Sequence, residues 1–166
     1  MTDLIEVTEV SSWHCGVLAR TMRAADQQEV WASSGKEPLE ALRESVEASS
    51  HCWTGLKNKV PVAMFGVAPF MEGDSEIGIA WLLASDELYT FRKTAMFLSR
   101  VYVHAMQKHY EVLTNYIDYR NVVSEFWLRR LGFRCVGFIK EYGHEKRPFI
   151  QYARFRDVRT DNPSGD

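Results

Sequence analysis

The chain has 166 residues, a formal charge of −2 and a hydrophobic share of 46%, which suit one soluble domain with a sizeable core and argue against a general nucleic-acid-binding surface. Its three widely spaced cysteines argue against a disulfide scaffold and suit a reducing compartment. The sequence starts without the basic and apolar segments of a signal peptide, and no stretch approaches the roughly 20 apolar residues of a membrane span. We therefore expect a cytoplasmic protein.

The first part of the chain predicts a strand, two helices and a hairpin. Alternating apolar and polar residues predict a first strand over residues 4–10. Helical spacing then predicts a first helix that runs to about Val30, and Pro38 begins a second helix at the position where proline fits best. Residues 51–56 and 60–70 predict the two strands of a hairpin.

The second part alternates strands and helices. The predicted elements are a strand over residues 76–84, a helix from about Glu87 to His109, a strand over 112–117, a helix opened by Asn121 and ended by Gly132, and strands over 133–142 and 148–155. The predicted class is therefore α/β, with the order β-α-α-β-β-β-α-β-α-β-β in one domain over residues 1–156. Residues 157–166 are polar, and we expect a flexible tail there.

The helix opened by Asn121 carries an apolar stripe and two adjacent basic residues. The residues predicted to face the core are Val122, Val123, Phe126, Trp127 and Leu131. Phe126 and Trp127, with Arg129 and Arg130 beside them, fit either a docking patch for an acidic partner or a solvated helix face over a core. The second interpretation is favoured.

Two His-Cys pairs raise the question of a metal site. They are His14 with Cys15 and His51 with Cys52. Neighbours on a strand point to opposite faces, so His51 and Cys52 do not readily share one metal ion. The sequence therefore predicts no metal site.

Residues 121–133 resemble the end of a GNAT (GCN5-related N-acetyltransferase) domain, which reads roughly N-x-x-A-x-x-L-Y-x-x-x-G-F. The matching residues are Asn121, Ser124, Leu131, Gly132 and Phe133. Trp127 replaces the family leucine, and Leu128 stands where the family usually has tyrosine. The order of elements fits that fold over about residues 4–156. The resemblance implies a mixed, splayed seven-stranded sheet with helices on both faces, in which the fourth and fifth strands are parallel.

The same resemblance implies an acyl-CoA site between the splayed fourth and fifth strands. The family binds the pyrophosphate on a glycine-rich loop before the long helix, Q/R-x-x-G-x-G/A. Here residues 84–95 contain no glycine, and Asp86 and Glu87 place negative charge where a pyrophosphate would lie. An ordinary capped helix is favoured over a working cradle, so the expected cofactor is none, or acetyl-CoA if the protein is active. The candidate coenzyme contacts are Leu83, Ser85, Arg92, Lys93, Ile117 and Asn121.

The catalytic residues of the family are incompletely matched. Its tyrosine would protonate the leaving thiolate, which Leu128 cannot do. Glu76 is the carboxylate within the fourth strand, where the family often has a base, but its place at the start of the strand favours a surface role. Tyr116, Asp118 and Tyr119 either line the cleft or pack in a loop, with no preference between the two.

From about Ser50 to the last strand, the chain also resembles the GNAT-like internal virion or morphogenesis proteins of T-seven-type podophages. The shared features are Ser85 and Asp86 before the long basic helix, and the aromatic-leucine pair Trp127 and Leu128. One hypothesis is thus a catalytically reduced phage protein that acts with virion or assembly proteins, in the host cytoplasm or in the particle. The other is an active acyl-CoA-dependent N-acyltransferase that modifies an amine.

Overall fold

Seven strands form one mixed sheet in the computed structural model, which describes residues 2–157. The strands are β1 Ile5–Glu9, β2 His51–Lys57, β3 Val60–Glu72, β4 Ser75–Ala84, β5 Val112–Asp118, β6 Arg134–Tyr142 and β7 Arg147–Phe155. The described helices are α1 Ser12–Thr21, α2 Ala24–Ser34, α3 Pro38–Ala48, α4 Arg92–Gln107 and α5 Val122–Arg130, with a 3₁₀ helix over Asp86–Phe91.

The strand order is β1-β2-β3-β4-β5-β7-β6, in which β4 and β5 are parallel and all other neighbours are antiparallel. The predicted α/β fold with a mixed seven-stranded sheet and a parallel crossing from β4 through α4 to β5 is confirmed. The predicted tail lies outside the described residues from residue 158 onward.

The predicted first helix is divided, and this is a correction. Met22 and Arg23 have extended ψ angles of 136° and 142°, which separate α1 from α2. Met22 forms a bridge with Ser85, and the Arg23 N–H donates to the carbonyl of Ala84 at 2.8 Å. Pairing with the end of β4 thus overrides the local helical pattern, and it fixes where α2 begins.

The predicted long helix also begins later than expected. The six residues Asp86–Phe91 form a 3₁₀ helix, and the α-helix runs only over Arg92–Gln107. Lys57 from β2 donates to Glu87 and to Thr90, each at 2.9 Å, and these bonds hold the tighter turn against the sheet. Within residues 2–157, no helix has both the length and the apolar character needed to cross a membrane.

Helices cover both faces of the sheet. On one face α1 and α3 enclose a cluster of Cys15, Leu18, Met22, Leu42 and Met64. On the other face α4 and α5 enclose a larger cluster that includes Val103, Met106, Leu113, Ile117, Leu128 and Tyr152. The sheet is therefore the middle of three layers.

Helix α5 is rotated relative to the prediction. Its buried side chains are Leu128 and the adjoining Leu131, whereas Val122 and Phe126 are 65% and 58% exposed. Glu125 accepts a hydrogen bond from the Tyr152 hydroxyl at 2.8 Å, which helps fix this rotation. In a helix of nine residues, contacts of this kind outweigh the apolar stripe in deciding which side meets the core.

The turn between β6 and β7 holds the end of α2. The N–H groups of His144 and Glu145 donate to the carbonyls of Ser33 and Ala32 at 3.1 and 3.0 Å, which satisfies acceptors left free at the helix terminus. Gly143 has a φ of +68°, and a Cβ atom there would lie 2.4 Å from the Ser33 carbonyl oxygen. Both ends of α2 are thus fixed to the sheet.

Gly132 provides a test of how α5 ends. It has a φ of +87°, and an added Cβ would meet only the Arg154 side chain, at the ordinary contact distance of 3.4 Å, so the cost of Gly132→Ala is conformational. We expect this variant to lower the free energy of unfolding by about 1 kcal/mol, measured by urea denaturation. Gly16→Ala in α1 has open space around its Cβ and is the control, with a neutral or stabilising effect. Equal losses in both variants would contradict this account of Gly132.

Candidate functional site

Strands β4 and β5 separate soon after they meet. They pair at Gly78 with Leu113 and at Ile79 with Thr114, and the described register ends there. Beyond that point the Asn115 amide donates to the carbonyl of Ala80 at 2.8 Å, so a side chain takes the place of the next strand-to-strand bond. The separation predicted from the family resemblance is therefore present.

The separation opens into a cleft of about 120 Å³ between the sheet and helices α4 and α5. Its walls are mainly apolar, formed by residues such as Phe65, Leu82, Leu98, Tyr102, Trp127 and Leu128. The polar groups that line it come chiefly from the end nearest α2 and β5, and include Arg23, Glu29, Tyr89, Asn115 and Ser124. A cleft of this kind suits a mostly apolar ligand that is oriented at one end.

Glu29 of α2 is the most distinctive group in this cleft. Its Oε2 accepts from the Asn121 amide at 2.8 Å and from the Asp118 N–H at 3.2 Å. Its Oε1 accepts no hydrogen bond from any described residue. Burial raises the pKa of Glu29 to about 7, and the nearby Asp26 and Asp118 carboxylates add to that effect against the opposing hydrogen bonds. Near neutral pH this carboxyl therefore exchanges a proton readily.

The charges around Glu29 are otherwise balanced. Arg23 and Asp26 form a two-bond pair at 2.6 and 3.0 Å, and both are buried. Burial acts to raise the pKa of Asp118, but the side-chain and backbone bonds from Arg120 outweigh it and hold that pKa below its usual value. Among the described lining residues, Glu29 is the carboxylate without a basic partner, since Glu6 pairs with Lys59 in the turn between β2 and β3.

The predicted coenzyme residues are distributed around this cleft rather than gathered in it. Ile117 lines the cleft, and Asn121 borders it through Glu29. Leu83 packs against the α1 cluster on the opposite face, so that its neighbour Leu82 lines the cleft instead. Ser85 is buried and its hydroxyl has no hydrogen-bond partner among the described residues.

The two basic candidates lie at the surface. Arg92 and Lys93 are exposed at the start of α4, and neither forms an ion pair with a described residue. The preceding 3₁₀ helix uses the Leu88 N–H to bond the Ser85 carbonyl at 3.2 Å, and 3₁₀ geometry uses the following N–H groups in the same way. This segment therefore lacks the convergent free N–H groups of a phosphate-binding turn.

The structure places Glu76 far from the opening. It is exposed at the start of β4, on the other side of the β4–β5 pairing from the cleft. Glu29, which does line the cleft, was missed by sequence reasoning because no motif marks it. Its position depends on the break between α1 and α2, which no local pattern reveals.

The remaining candidate residues in and after β5 form packing or ion-pair contacts or lie at the surface. Tyr116 stacks on Tyr142 with ring centroids 5.4 Å apart, and Asp118 pairs with Arg120. Tyr119 is 47% exposed. Within residues 2–157 no three His, Cys, Asp or Glu side chains are grouped so that they could hold a metal ion.

Known proteins resemble this chain in structure but not in sequence. No protein-family sequence model matches the chain, and no curated protein sequence matches it. Several solved structures, in contrast, are similar to it in fold. The ribosomal-protein-alanine N-acetyltransferase of Brucella melitensis is similar with a TM-score of 0.71 and 14% identity, over 91% of this chain and 99% of that one.

Two further acetyltransferase structures are similar. A GNAT-family acetyltransferase from Bacillus anthracis has a TM-score of 0.67 and 9% identity, over 91% of this chain and 94% of that one. The ribosomal-protein-S5-alanine acetyltransferase of Vibrio fischeri has a TM-score of 0.64 and 15% identity, over 93% and 94%. The chain has the GNAT fold. At these identities the likeness establishes the fold and leaves the activity to the chemistry of the cleft.

The protonation of Glu29 predicts a pH dependence of stability. Because its pKa rises from an ordinary 4.5 to about 7 in the folded protein, the folded state keeps a proton that the unfolded chain releases. The free energy of unfolding contributed by this group therefore falls as pH rises from about 4.5 to 7 and stays low above that. Glu29→Gln remains neutral and still offers an oxygen to Asn121, so we expect it to match the parent's stability at low pH and to exceed it by up to about 3 kcal/mol at high pH.

Urea denaturation at about pH 4, 6 and 8 measures this effect. Glu125→Gln is the matched control, because the Tyr152 hydroxyl and Arg129 hold the pKa of Glu125 below its usual value, which gives the opposite sign. A Glu29→Gln variant that loses stability at high pH would contradict the prediction.

Proposed function

We propose that this chain is a bacteriophage protein that acts in virion structure or assembly, with a GNAT fold whose coenzyme path is closed. The phage assignment rests on the sequence resemblance that begins near Ser50. The proposed location is the host cytoplasm or the particle, and the proposed partners are other virion or assembly proteins. The proposal is carried by the hydrogen bonds that protein groups make along the β4 edge and in the turn that follows it.

Protein groups occupy the edge of β4 that a thioester arm would need. The carbonyl of Ala80 accepts from Asn115, and the carbonyl and N–H of Ala84 bond to Arg23 and Asp26 at 2.8 and 2.9 Å. By the alternation of the strand, Leu82 is the residue between them whose backbone also faces the opening. A pantetheine arm, which binds by adding amide bonds along such an edge, therefore meets competition at two of three positions.

The segment that would bind the pyrophosphate also lacks glycine and a free N–H at Leu88. The 3₁₀ helix contains no glycine, its Leu88 N–H is already bonded, and Glu87 is engaged by Lys57. Leu128 is buried where a proton-donating tyrosine would stand. The engaged β4 edge, the 3₁₀ helix without a phosphate-binding turn and the leucine in place of the family tyrosine together support a role that does not require turnover of the coenzyme.

Titration calorimetry with acetyl-CoA tests this proposal. We expect no saturable binding at low-micromolar ligand, which corresponds to a binding free energy weaker than about −8 kcal/mol. Acetyl-pantetheine, which lacks the pyrophosphate, is the matched ligand and is expected to bind no better, because the bonds to Ala80 and Ala84 block the arm itself. Tight binding of acetyl-CoA that is lost when Arg92 and Lys93 are both changed to Ala would overturn the closed path.

A second function is favoured by one observation, the free Oε1 of Glu29. In an N-acyltransferase, an amine nitrogen would attack the thioester carbon, the C–S bond would break, and the amine proton would pass to Glu29. The thiolate would take a proton from water or from the Tyr89 hydroxyl, which lines the same cleft and accepts from Arg23 at 3.0 Å. A carboxyl with a pKa of about 7 is suited to such a base at neutral pH.

Thiol release from acetyl-CoA in the presence of amine-bearing peptides tests the second function. If it holds, the rate rises with pH through about 7, because Glu29 must be ionised to accept the proton. Glu29→Gln then loses roughly 10²–10⁴-fold in rate and the pH dependence with it. Glu76→Gln is the control and leaves both unchanged. Absence of thiol release with every peptide, at all pH values, favours the non-enzymatic proposal.

A further inference from the structure

The two His-Cys pairs of the sequence come together in the fold. The Nδ1 atom of His14, in α1, lies 2.9 Å from the Thr54 hydroxyl oxygen of β2, and both side chains are buried. Cys15 follows His14 on α1, and Cys52 lies two residues before Thr54 on β2, in a stretch where the pairing with β3 is regular. Helix α1 therefore contacts β2 close to Cys52.

The side chain of Cys52 lies on the face of the sheet that α1 covers. Side chains alternate along a strand, so Cys52 and Thr54 share a face. Met64 pairs with Thr54 across the sheet and belongs to the same apolar cluster as Cys15. Gly66 pairs with Cys52, and a Cβ atom built on Gly66 would lie 2.6 Å from the Cys52 Cβ. The glycine thus leaves room for the Cys52 side chain under α1.

Both cysteines line one cavity of about 680 Å³ between α1, α3 and the start of β2. Cys15 is buried and Cys52 is half-buried. Burial raises the pKa of each thiol, and the charge of Cys15 raises that of Cys52 further, an effect that requires the two groups to lie close together. The cavity therefore contains an accessible thiol with a buried thiol beside it.

Arg43 of α3 lines the same cavity and is exposed. It forms no ion pair with any residue in the described part of the chain. Its charge acts to lower the pKa of Cys15, against the larger effect of burial. A guanidinium in this place favours the thiolate, which is the form that reacts in thiol–disulfide exchange.

The third cysteine lies far from this pair. Cys135 is exposed on β6, and the strands β3, β4, β5 and β7 lie between β6 and β2 in the sheet. Five strand spacings amount to about 24 Å. A disulfide joins residues whose Cα atoms are within about 7 Å of each other. Cys15 and Cys52 are therefore the two cysteines that one molecule can join.

We propose that Cys15 and Cys52 form a redox pair that closes into a disulfide when a small disulfide, such as oxidised glutathione, enters the cavity. The accessible Cys52 thiol loses a proton to water, and its thiolate attacks one sulfur of the small disulfide, which releases a first small thiolate. Cys15, deprotonated in the same way, attacks the Cys52 sulfur and releases the second. The released thiolates take up two protons, so the protein is oxidised by two electrons and the small disulfide is reduced.

The bond would fasten α1 to β2 and enclose residues 16–51. Closing such a loop restricts the unfolded chain, so the oxidised form is more stable than the reduced form. The enclosed segment contains the junction at Met22 and Arg23 and the whole of α2, which carries Glu29. This inference goes beyond the proposed function and does not depend on whether the cleft accepts a coenzyme.

Incubation of the folded protein with oxidised glutathione tests the pair. After the free thiols are alkylated under denaturing conditions, mass spectrometry should find one alkylated cysteine, Cys135, and a linked peptide that contains Cys15 and Cys52. A protein that keeps three free thiols, or that carries glutathione without the link, would overturn the proposal. Linking that occurs only in urea would overturn it as well, because the pair would then not be formed by the fold.

Single variants test the order of the two steps. Cys15→Ala should stop at the mixed disulfide and keep one glutathione on Cys52. Cys52→Ala should take up little glutathione at the same cavity, because Cys15 is buried. Cys135→Ser is the control and should form the link as the parent does. Equal uptake by Cys15 and Cys52 in the two alanine variants would refute the assigned order.

Urea denaturation gives a second readout that does not rely on chemical trapping. The denaturation midpoint of the parent should rise after oxidation and return after treatment with a reductant, because the closed loop is then opened. Cys15→Ala, treated in the same way, should show no rise. Circular dichroism before denaturation confirms that each variant is folded. An unchanged midpoint in the linked parent would contradict the stabilising role of the bond.

Discussion

The junction between α2 and the end of β4 is the constraint on which the site depends. Ala84 gives its carbonyl to the Arg23 N–H and receives the Asp26 carboxylate on its own N–H, while Arg23 and Asp26 bind each other. Both side chains are buried, so loss of either partner would leave an uncompensated charge and cost about 3–5 kcal/mol. The junction ends α1, directs α2 across the opening and occupies the terminus of β4.

The same junction positions the ionisable group of the cleft. It turns α2 so that Glu29 reaches the opening, where Asn121 connects it to α5. Asn121 caps α5 through its oxygen, at 3.2 Å from the Ser124 N–H, and donates to Glu29 through its nitrogen. One side chain thus begins a helix and positions a carboxyl. The bonds that direct α2 also engage the carbonyl and the N–H of Ala84 at the end of β4.

Charged residues are unevenly distributed along the chain. Acidic residues predominate before residue 120, with sixteen Asp and Glu against ten Lys and Arg, and basic residues predominate over residues 120–156, with nine against three. Several large apolar side chains, among them Phe70, Phe126 and Phe138, remain exposed beside these charges. Exposed apolar groups next to unpaired charges are typical of contact surfaces, which agrees with the proposed role in assembly.

The sequence by itself determined the elements whose signals are local. Asn121 as a helix cap, the positive φ of Gly132 and the strand-helix alternation follow from side-chain hydrogen bonding, backbone freedom and apolar period, which neighbours along the chain suffice to define. The family resemblance added the parallel crossing of β4 and β5, which the pairing confirms.

Only the tertiary structure decided the break at Met22 and Arg23, the 3₁₀ helix after β4, the rotation of α5 and the place of Glu29. Each depends on a partner distant in sequence: Ala84 is 61 residues from Arg23 and Asn121 is 92 residues from Glu29. A pattern read along the chain does not contain such contacts, because burial and hydrogen bonding between remote segments overrule local helical preference where the two compete. The cleft and its ionisable group arise from that competition.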